Sequence, residues 1–383
     1  MTQTRAFPRH LAILLPTLGG GGAERTMLKL AGGFRSHGYQ VDLILVHFEG
    51  SLVSEIPEHV RIIDLKAPRR FTSRALTSLP ALIGYLRDEH PDILYTGLMT
   101  NLIALWAKKL ARISTRVIIS ERNIPSVEIK QFPRDFRFRL MPAMTKIFYP
   151  WGDGIVAVSQ AVANDLVKII GIQQEKIRVI YNPVVTSILI EKSNAPVDHP
   201  WFAPDQSPVV LAVGRLTTQK DYPTLLKAFA LVHQSRPVRL LILGEGDERH
   251  HLEIQSKNLG IEMDVQFAGF IENPYPYMKK ASLFVHSSQF EGLPGVLIEA
   301  LFCGVPIIAT DCPGGSREIL ADGKYGQLVP VGDPLALAQA IERSLSNHSY
   351  PVSDQSWKPF EIENILQQYM AYFNEICVDL KKN

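Results

Sequence analysis

The segment EGLPGVLIEAL at residues 291–301 sets two glutamates at one helix entrance, Glu291 in the loop before the helix and Glu299 inside it. Pro294 stands at a first helical position, where proline is tolerated, and an apolar strand at residues 283–285 precedes the loop. A ligand at the helix N-terminus would meet Glu291 first and Glu299 further along. Because carboxylates are strong acceptors for hydroxyl groups and Glu299 lies on an otherwise apolar helix face, the segment predicts a ligand site rather than two surface glutamates.

Short apolar runs separated by amphipathic helical stretches extend through the rest of the chain. Continuous apolar strands of this kind are typical of parallel sheets that helices cover on both faces. The series stops at a proline-rich stretch, since proline cannot continue a helix or lie inside a central strand, and then restarts. The runs are residues 11–15, 41–46, 60–65, 92–96, 117–120, 155–159 and 177–181 before Pro196, Pro200, Pro204 and Pro208, and residues 209–213, 240–243, 265–268, 283–285 and 306–310 after them.

The two series predict an α/β fold of two doubly wound, Rossmann-like domains that face each other across a cleft. A chain of 383 residues fits two domains of ordinary size. We place the first domain at residues 1–187, the second at residues 188–355 and a C-terminal helix at residues 356–383. That helix either packs as an ordinary helix or crosses back to the first domain, and both interpretations stay open.

The composition excludes several classes of protein. The chain is 46% hydrophobic and 20% charged, which is too apolar for a disordered protein. No apolar run approaches the ~18 residues of a membrane-spanning helix. The three cysteines, Cys303, Cys312 and Cys377, form no CxxC pair, which argues against a disulfide framework or a zinc site and for a reducing compartment.

Basic and acidic residues are divided unevenly along the chain. Residues 1–190 hold 24 lysines and arginines against 15 acidic residues, whereas residues 191–383 hold 16 against 23. The basic first half favours an anionic partner, whether lipid, phosphate or nucleic acid, with solvated surface charge as the alternative. Within it, an aromatic-rich basic stretch at residues 130–148 is typical of a helix in the headgroup layer of an anionic membrane, or of a domain helix with a buried apolar stripe. Its basic residues are Lys130, Arg134, Arg137, Arg139 and Lys146.

Two further strand ends carry groups suited to an anion. The first strand runs into a glycine loop at residues 19–22 and then into a helix, whose bare N–H groups and positive dipole end suit a diphosphate, although a plain tight turn is the alternative. Glu24 stands where the fingerprint of nicotinamide-binding folds needs glycine. In the second half, Arg215 and Lys220 follow a strand end, where two cations can neutralise a leaving diphosphate without a metal.

Residues 291–301, together with PIIATDCPGG at residues 306–315 and REIL at residues 317–320, resemble the E-x7-E signature of retaining glycosyltransferases of the GT-B fold, family 4. The glycine loop, VGRL at residues 213–216 with Lys220, and LGEG at residues 243–246 match the same family in the same order. The resemblance covers nearly the whole chain. It points to bacterial sugar-nucleotide-dependent transferases of lipid-linked or surface polysaccharide assembly.

The resemblance implies a role for each matching residue. Arg215 and Lys220 would hold the donor diphosphate, and Glu299 would bind the ribose hydroxyl groups. Glu291 would contact the transferred sugar and act in catalysis together with those two cations. The remaining residues that would contact the sugar nucleotide are Gly21, Gly22, Gly244, Phe270, Leu293, Gly295 and Val296.

One position departs from the family pattern. Many members carry a histidine at the end of the strand that here reads VIIS at residues 117–120, and this chain continues with Glu121 and Arg122 instead. Either residue then contacts donor or acceptor, or Arg122 forms a structural salt bridge. His286, before Glu291, either braces that loop or is an ordinary core histidine.

The resemblance implies a retaining, metal-independent transferase that moves a hexose or N-acetylhexosamine from a UDP-linked sugar to a saccharide acceptor. The acceptor would be polyprenyl-linked, and the enzyme cytoplasmic and peripheral on the inner face of the cell membrane, bound through its basic first domain. No cofactor beyond the nucleotide sugar and no nucleic acid partner is expected. The alternatives are a sugar-nucleotide epimerase or glycan phosphorylase of the same fold and, more distantly, a nucleic-acid-binding α/β protein.

Overall fold

A computed structural model describes residues 9–67, 74–131, 136–346 and 353–378 of the chain. The chain forms two compact units. Unit 1 consists of Met1–Pro183 with Ile362–Asn383, and unit 2 consists of Val184–Glu361. The unit boundaries therefore lie a few residues away from the positions 187/188 and 355/356 expected from the sequence.

The described part of unit 1 contains a seven-stranded sheet in the order β3-β2-β1-β4-β5-β6-β7. All neighbouring strands are parallel, with Leu11 opposite both Val41 and Ile93. The strand order reverses between β1 and β4, and ligands of such folds bind at the carboxyl ends of the strands beside this point. The strands are β1 (His10–Leu15), β2 (Gln40–Leu45), β3 (Arg61–Asp64), β4 (Ile93–Gly97), β5 (Arg116–Glu121), β6 (Gly154–Ala157) and β7 (Ile177–Val179).

The central strand β1 is apolar and buried from Leu11 to Leu15, as is typical of a parallel strand that helices cover on both faces. The helices in the order of the chain are α1 (Gly22–Ser36), α2 (Arg74–Thr77), α3 (Leu79–Glu89), α4 (Asn101–Ala111), α5 (Pro125–Gln131), α6 (Phe136–Phe148) and α7 (Gln160–Ile170).

The described part of unit 2 contains a six-stranded parallel sheet in the order β10-β9-β8-β11-β12-β13, which reverses between β8 and β11. Its strands are β8 (Val209–Val213), β9 (Arg239–Leu243), β10 (Val265–Gly269), β11 (Leu283–His286), β12 (Ile307–Thr310) and β13 (Gln327–Val329). Its helices are α8 (Ser187–Lys192), α9 (Tyr222–His233), α10 (Arg249–Asn258), α11 (Tyr275–Lys280), α12 (Gly295–Cys303), α13 (Ser316–Ile319) and α14 (Pro334–Ser346).

The last helix, α15 (Ile362–Val378), belongs to unit 1. The ring of Phe373 stacks on Phe34 of α1 with centroids 5.4 Å apart, and the Tyr369 hydroxyl lies 2.7 Å from the hydroxyl of Tyr95 in β4. The helix thus completes the core of the first sheet rather than extending unit 2.

The predicted fold class, two doubly wound α/β domains with parallel sheets, is confirmed. Among the described helices, none has both the length and the hydropathy that crossing a bilayer requires.

Candidate functional site

The loop between β11 and α12 carries Glu291, and a second loop holds it in place. The Glu291 N–H donates to the Pro313 carbonyl at 2.9 Å, and the Gly315 N–H donates to the Gly292 carbonyl at 3.0 Å. Gly314 has a φ of +131°, and a Cβ there would collide with the Glu291 carbonyl. Only glycine fits this close approach, so the GG pair after β12 fixes the position of the Glu291 backbone.

The Glu291 carboxylate uses one of its two oxygens for protein contacts. Its Oε1 accepts from Lys220 Nζ at 2.5 Å and from Ser288 Oγ at 2.7 Å, and His286 Nε2 lies 3.3 Å away. Within the described residues, no donor is assigned to Oε2. The side chain keeps 10% of its surface accessible, so an anchored carboxylate offers a free acceptor atom at the carboxyl edge of the sheet.

Its neighbours keep this carboxylate ionised. Burial by itself raises the pKa of Glu291, but the Lys220 charge and the His286 contact outweigh burial and hold that pKa well below its usual range. Burial lowers the pKa of His286 below 6.5, so the imidazole is neutral at pH 7. His286 Nε2 is not aligned for a hydrogen bond with Oε1.

Lys220 lies in a loop at the carboxyl end of β8 that is bonded to the Glu291 loop. Gln219 Nε2 donates to the Phe290 carbonyl at 2.9 Å, and Ser287 Oγ donates to the Lys220 carbonyl at 2.7 Å. Arg215, in the same loop, is exposed, and no acidic residue of the described chain forms an ion pair with it. One cation is therefore paired with Glu291, while a second stays available to an anion.

The other predicted residues of unit 2 lie at the same carboxyl edge. Gly244 follows β9, where its φ of +149° and its close approach to the Gly214 carbonyl exclude a side chain. Phe270 follows β10 and is 64% exposed. At the start of α12, Leu293 is buried and Gly295 and Val296 are half-buried, and the first N–H groups of a helix have no partner within it.

Glu299 lies in the second turn of α12 and is half-buried. It therefore shares a helix entrance with Glu291, as the E-x7-E spacing predicts. Among the described residues, no group of three or more histidines, cysteines or acidic residues is placed to hold a metal ion.

In unit 1, the glycine loop after β1 ends at Gly21, which precedes Gly22, the first residue of α1. The Glu24 side chain folds back, so that a Cβ on Gly21 would collide with its carboxylate. An anion that approaches this helix N-terminus meets that carboxylate, which the sequence did not indicate.

Glu121 and Arg122 lie at the carboxyl end of β5 and do not pair with each other. Glu121 Oε2 accepts from the Tyr149 hydroxyl at 2.8 Å, and its Oε1 accepts from the Arg122 backbone N–H at 3.3 Å. The Arg122 guanidinium donates to Ser120 Oγ at 3.3 Å and to Asn182 Oδ1 at 2.5 Å. Within the described chain, Arg122 has no salt bridge, so the structural ion pair left open by the sequence is not observed.

The basic stretch at residues 130–148 is described only in part. Arg134 lies outside the described residues, and so do the side chains of Arg137 and Arg139. Lys130 and Lys146 are described, and Lys146 is exposed.

Residues that the sequence did not single out complete the site in unit 2. Ser288 is fully buried and bonds Oε1 of Glu291, while its own carbonyl accepts from Thr310 Oγ1 at 2.5 Å. The signal was present as a polar run directly after the apolar strand β11, where ordinary core residues would be apolar.

The chain is similar to known glycosyltransferases. The family model for glycosyl transferases group 1 matches residues 197–356, and the model for glycosyltransferase family 4 matches residues 20–188. A relative from Campylobacter jejuni, the N-acetylgalactosamine-N,N'-diacetylbacillosaminyl-diphospho-undecaprenol 4-alpha-N-acetylgalactosaminyltransferase, is 31% identical over 88% of this chain and 91% of its own length. A second Campylobacter jejuni enzyme, an alpha-1,4-N-acetyl-D-galactosaminyltransferase that acts on GalNAc-alpha-(1->4)-GalNAc-alpha-(1->3)-diNAcBac-PP-undecaprenol, is 27% identical over 96% of this chain and 98% of its own length.

Solved structures share the fold. HepE of Anabaena, crystallised with UDP and glucose, has a TM-score of 0.76 at 21% identity and covers 95% of this chain and 99% of its own. A glycosyltransferase from Rickettsia africae has a TM-score of 0.76 at 20% identity and covers 97% of this chain and 99% of its own.

Proposed function

The chain belongs to the group 1 and family 4 glycosyltransferases, as its motifs predict, and we propose that it transfers a hexose or N-acetylhexosamine from a UDP-linked sugar to a polyprenyl-linked saccharide. The proposal includes retention of anomeric configuration and no need for a metal. The observation that carries it is the Glu291 carboxylate, whose Oε1 is anchored by Lys220 and whose Oε2 accepts no hydrogen bond from the residues that the structure describes. The Oε2 atom can therefore accept a hydrogen bond from a hydroxyl group of the sugar.

The donor site follows from the groups around this carboxylate. Arg215 and Lys220 would neutralise the leaving diphosphate, aided by the first N–H groups of α12. Glu299, on the same helix as the E-x7-E spacing requires, would bind the ribose. HepE, crystallised with UDP and glucose, has the same fold, which supports UDP as the nucleotide.

The reaction proposed proceeds on one face of the sugar. The bond between the anomeric carbon and the diphosphate oxygen breaks while the acceptor oxygen bonds to that carbon from the same side. The acceptor proton passes to the departing phosphate oxygen, so the diphosphate serves as both leaving group and base. Glu291 would orient the sugar and stabilise positive charge at the anomeric carbon.

The acceptor is proposed from the relatives and from surface charge. Both Campylobacter jejuni enzymes act on saccharides linked through a diphosphate to undecaprenol, and the first half of this chain is basic. Exposed apolar side chains accompany that charge, with Leu140, Ile147 and Trp151 at 54%, 57% and 39% exposure. Lys109 Nζ lies 5.8 Å from the Trp151 ring centroid. This surface suits the headgroup layer on the inner face of the cell membrane.

The test supplies UDP-sugars one at a time with undecaprenyl-diphosphate saccharides in phosphatidylglycerol liposomes, in EDTA. The expected product carries an alpha linkage, identified by NMR coupling constants, and transfer falls as salt rises because ions screen the membrane contact. A beta linkage contradicts retention. Loss of activity in EDTA with recovery on Mn²⁺ contradicts charge neutralisation by Arg215 and Lys220, and consumption of the donor without an acceptor-linked product points to an epimerase or hydrolase.

A further inference from the structure

Strand β5 begins with one arginine and is followed directly by another, and the two have different surroundings. Arg116 begins the strand, and its Nη1 donates to Asp153 Oδ1 at 2.7 Å in a salt bridge. Arg122 follows the strand and is only 6% exposed. Among the residues that the structure describes, no carboxylate lies within salt-bridge distance of the Arg122 guanidinium. The positive charge at the carboxyl end of the strand is therefore buried without a counter-ion.

Within the described parts of the chain, the hydrogen bonds of this guanidinium go to neutral oxygens. Its donors reach the Ser120 hydroxyl and the Asn182 amide oxygen. These bonds satisfy hydrogens but leave the charge uncompensated, and a buried charge without a counter-ion is costly. The adjacent carboxylate of Glu121 does not help, since its oxygens are engaged by Tyr149 and by a backbone N–H.

Arg122 and Asn101 form one buried polar cluster around Ser120, and Asn101 also has an atom without a hydrogen-bond partner among the described residues. Asn101 is 3% exposed, and its Nδ2 donates to the Ser120 carbonyl at 3.3 Å and to the Tyr149 hydroxyl at 3.2 Å. Its Oδ1 is buried and has no hydrogen-bond partner. Because buried polar atoms in native proteins are nearly always paired, an anion for Arg122 and a donor for Asn101 Oδ1 are both missing among the described side chains.

The position of the cluster is that of a ligand site. Arg122 follows β5, the neighbour of β4, and the order of the sheet reverses between β1 and β4. Ligands of doubly wound sheets bind at the carboxyl ends of the strands around this point. Leu98, directly after β4, has a φ of +62°, a strained conformation for a side chain of its size.

We propose that Arg122 anchors an anion subsite in unit 1 that binds the diphosphate of a substrate. Guanidinium matches phosphate oxygens in shape and charge, and an incoming anion would supply the counter-charge that Ser120 and Asn182 do not. The inference rests on the proposed function, which provides two diphosphates, one on the donor and one on the acceptor. Since Arg215 and Lys220 already serve the donor, the subsite is assigned to the acceptor diphosphate.

The first experiment needs no knowledge of the substrate. Arg122→Gln and the matched control Arg116→Gln are melted with and without inorganic pyrophosphate. Arg122→Gln is expected to melt at or above the wild-type temperature and to lose at least half of the pyrophosphate-induced rise. Arg116→Gln, which breaks a salt bridge, is expected to melt lower and keep the full rise. An Arg122→Gln variant that melts lower and keeps the full rise would show that Arg122 is structural.

The second experiment separates the two diphosphates. Arg122→Gln is expected to raise the KM for the lipid-linked acceptor about tenfold, because one charge-assisted hydrogen bond is lost. Arg122→Lys is expected to show a smaller rise in that KM. A rise in the donor KM alone would overturn the acceptor assignment. If no lipid-linked saccharide is a substrate at all, the proposed function fails, while the pyrophosphate experiment still decides whether Arg122 binds an anion.

Discussion

Asp42 and Glu291 are buried carboxylates with cationic neighbours. Asp42 lies near the amino ends of the strands of its sheet, and Glu291 lies beyond the carboxyl ends of the strands of the other sheet. Asp42 is near the amino end of β2 in unit 1, where its side chain is 0% exposed. Its Oδ1 accepts from Arg61 at 2.8 Å, and its Oδ2 accepts from Arg61 and from the Tyr85 hydroxyl, both at 2.5 Å, with His10 at 2.8 Å. Both oxygens of Asp42 accept hydrogen bonds, whereas from the described part of the chain Glu291 accepts them at Oε1 alone.

The pKa values do not distinguish the two groups. Burial raises the pKa of Asp42, but hydrogen bonds from His10, Arg61 and Tyr85 outweigh it and hold that pKa well below the usual range, as Lys220 does for Glu291. The difference lies in the unused lone pairs. A carboxylate with saturated oxygens can only stabilise the fold, and one with a free oxygen at a ligand edge can also bind a substrate.

Asp42→Asn is expected to have the largest effect, and on stability alone. Removing the charge leaves Arg61, His10 and Tyr85 around a neutral amide, so the free energy of unfolding should fall by about 3 kcal/mol, the scale of a broken buried ion pair. Turnover per folded molecule should not change. Urea denaturation and a transfer assay measure the two quantities. Asp64→Asn, an exposed carboxylate in β3, is the control, and an equal loss in that control would contradict the comparison.

Glu291→Gln is expected to show the reverse pattern. Turnover should fall by about 100-fold or more, the scale of one lost electrostatic contact to the reacting sugar. Stability should fall less than in Asp42→Asn, since the amide oxygen still accepts from Lys220 and Ser288. Steady-state kinetics and urea denaturation test both statements. Glu262→Gln, an exposed glutamate of unit 2, should match wild type, and near wild-type transfer by Glu291→Gln would remove this residue from catalysis.

Much of the fold could be predicted because its strands are continuous apolar runs. β13 was missed, since it is a three-residue edge strand, Gln327–Val329, too short to form a pattern. The place of α15 could not be predicted either. Its stripe of Tyr369 and Phe373 fits any apolar groove, and only the tertiary structure shows that Phe34 and Tyr95 supply the partner surface.

The site was predictable in its parts and not in its pairing. The spacing of Glu291 and Glu299 was enough to predict that both lie at the start of one helix. Arg215 and Lys220 were predicted as site residues because they follow the end of a strand. The ion pair between Lys220 and Glu291 joins residues 71 positions apart. It depends on bonds between two loops, such as that of Gln219 to Phe290, which leave no periodic trace in the sequence.

The smallest expected effect is the part of the pH dependence of stability that His286, beside Glu291, contributes. Burial lowers the pKa of His286 below its ordinary 6.5, so the unfolded chain takes up a proton there before the folded chain does. The neutral imidazole thus contributes stability that is fully present above pH 6.5 and is lost as the pH falls toward the lowered pKa. Asp42 and Glu291, with lowered pKa values, lose their contributions only in stronger acid, below their unfolded values of 3.8 and 4.5.

Urea denaturation at pH 7.0 and pH 5.5 measures the change in the free energy of unfolding that His286 causes. For one proton this change is at most about 1.4 kcal/mol per pH unit. His286→Gln is expected to lose less stability on acidification than wild type, because it has no imidazole to protonate. His251→Gln, with a side chain 75% exposed, should follow wild type. Groups elsewhere, such as His37, whose pKa is raised by its bond to the Gly33 carbonyl, are common to all three proteins and cancel in the differences. Parallel pH dependence in all three would mean that His286 takes up its proton equally easily in the folded and unfolded chains, and that the Glu291 cluster is as open to water as the surface.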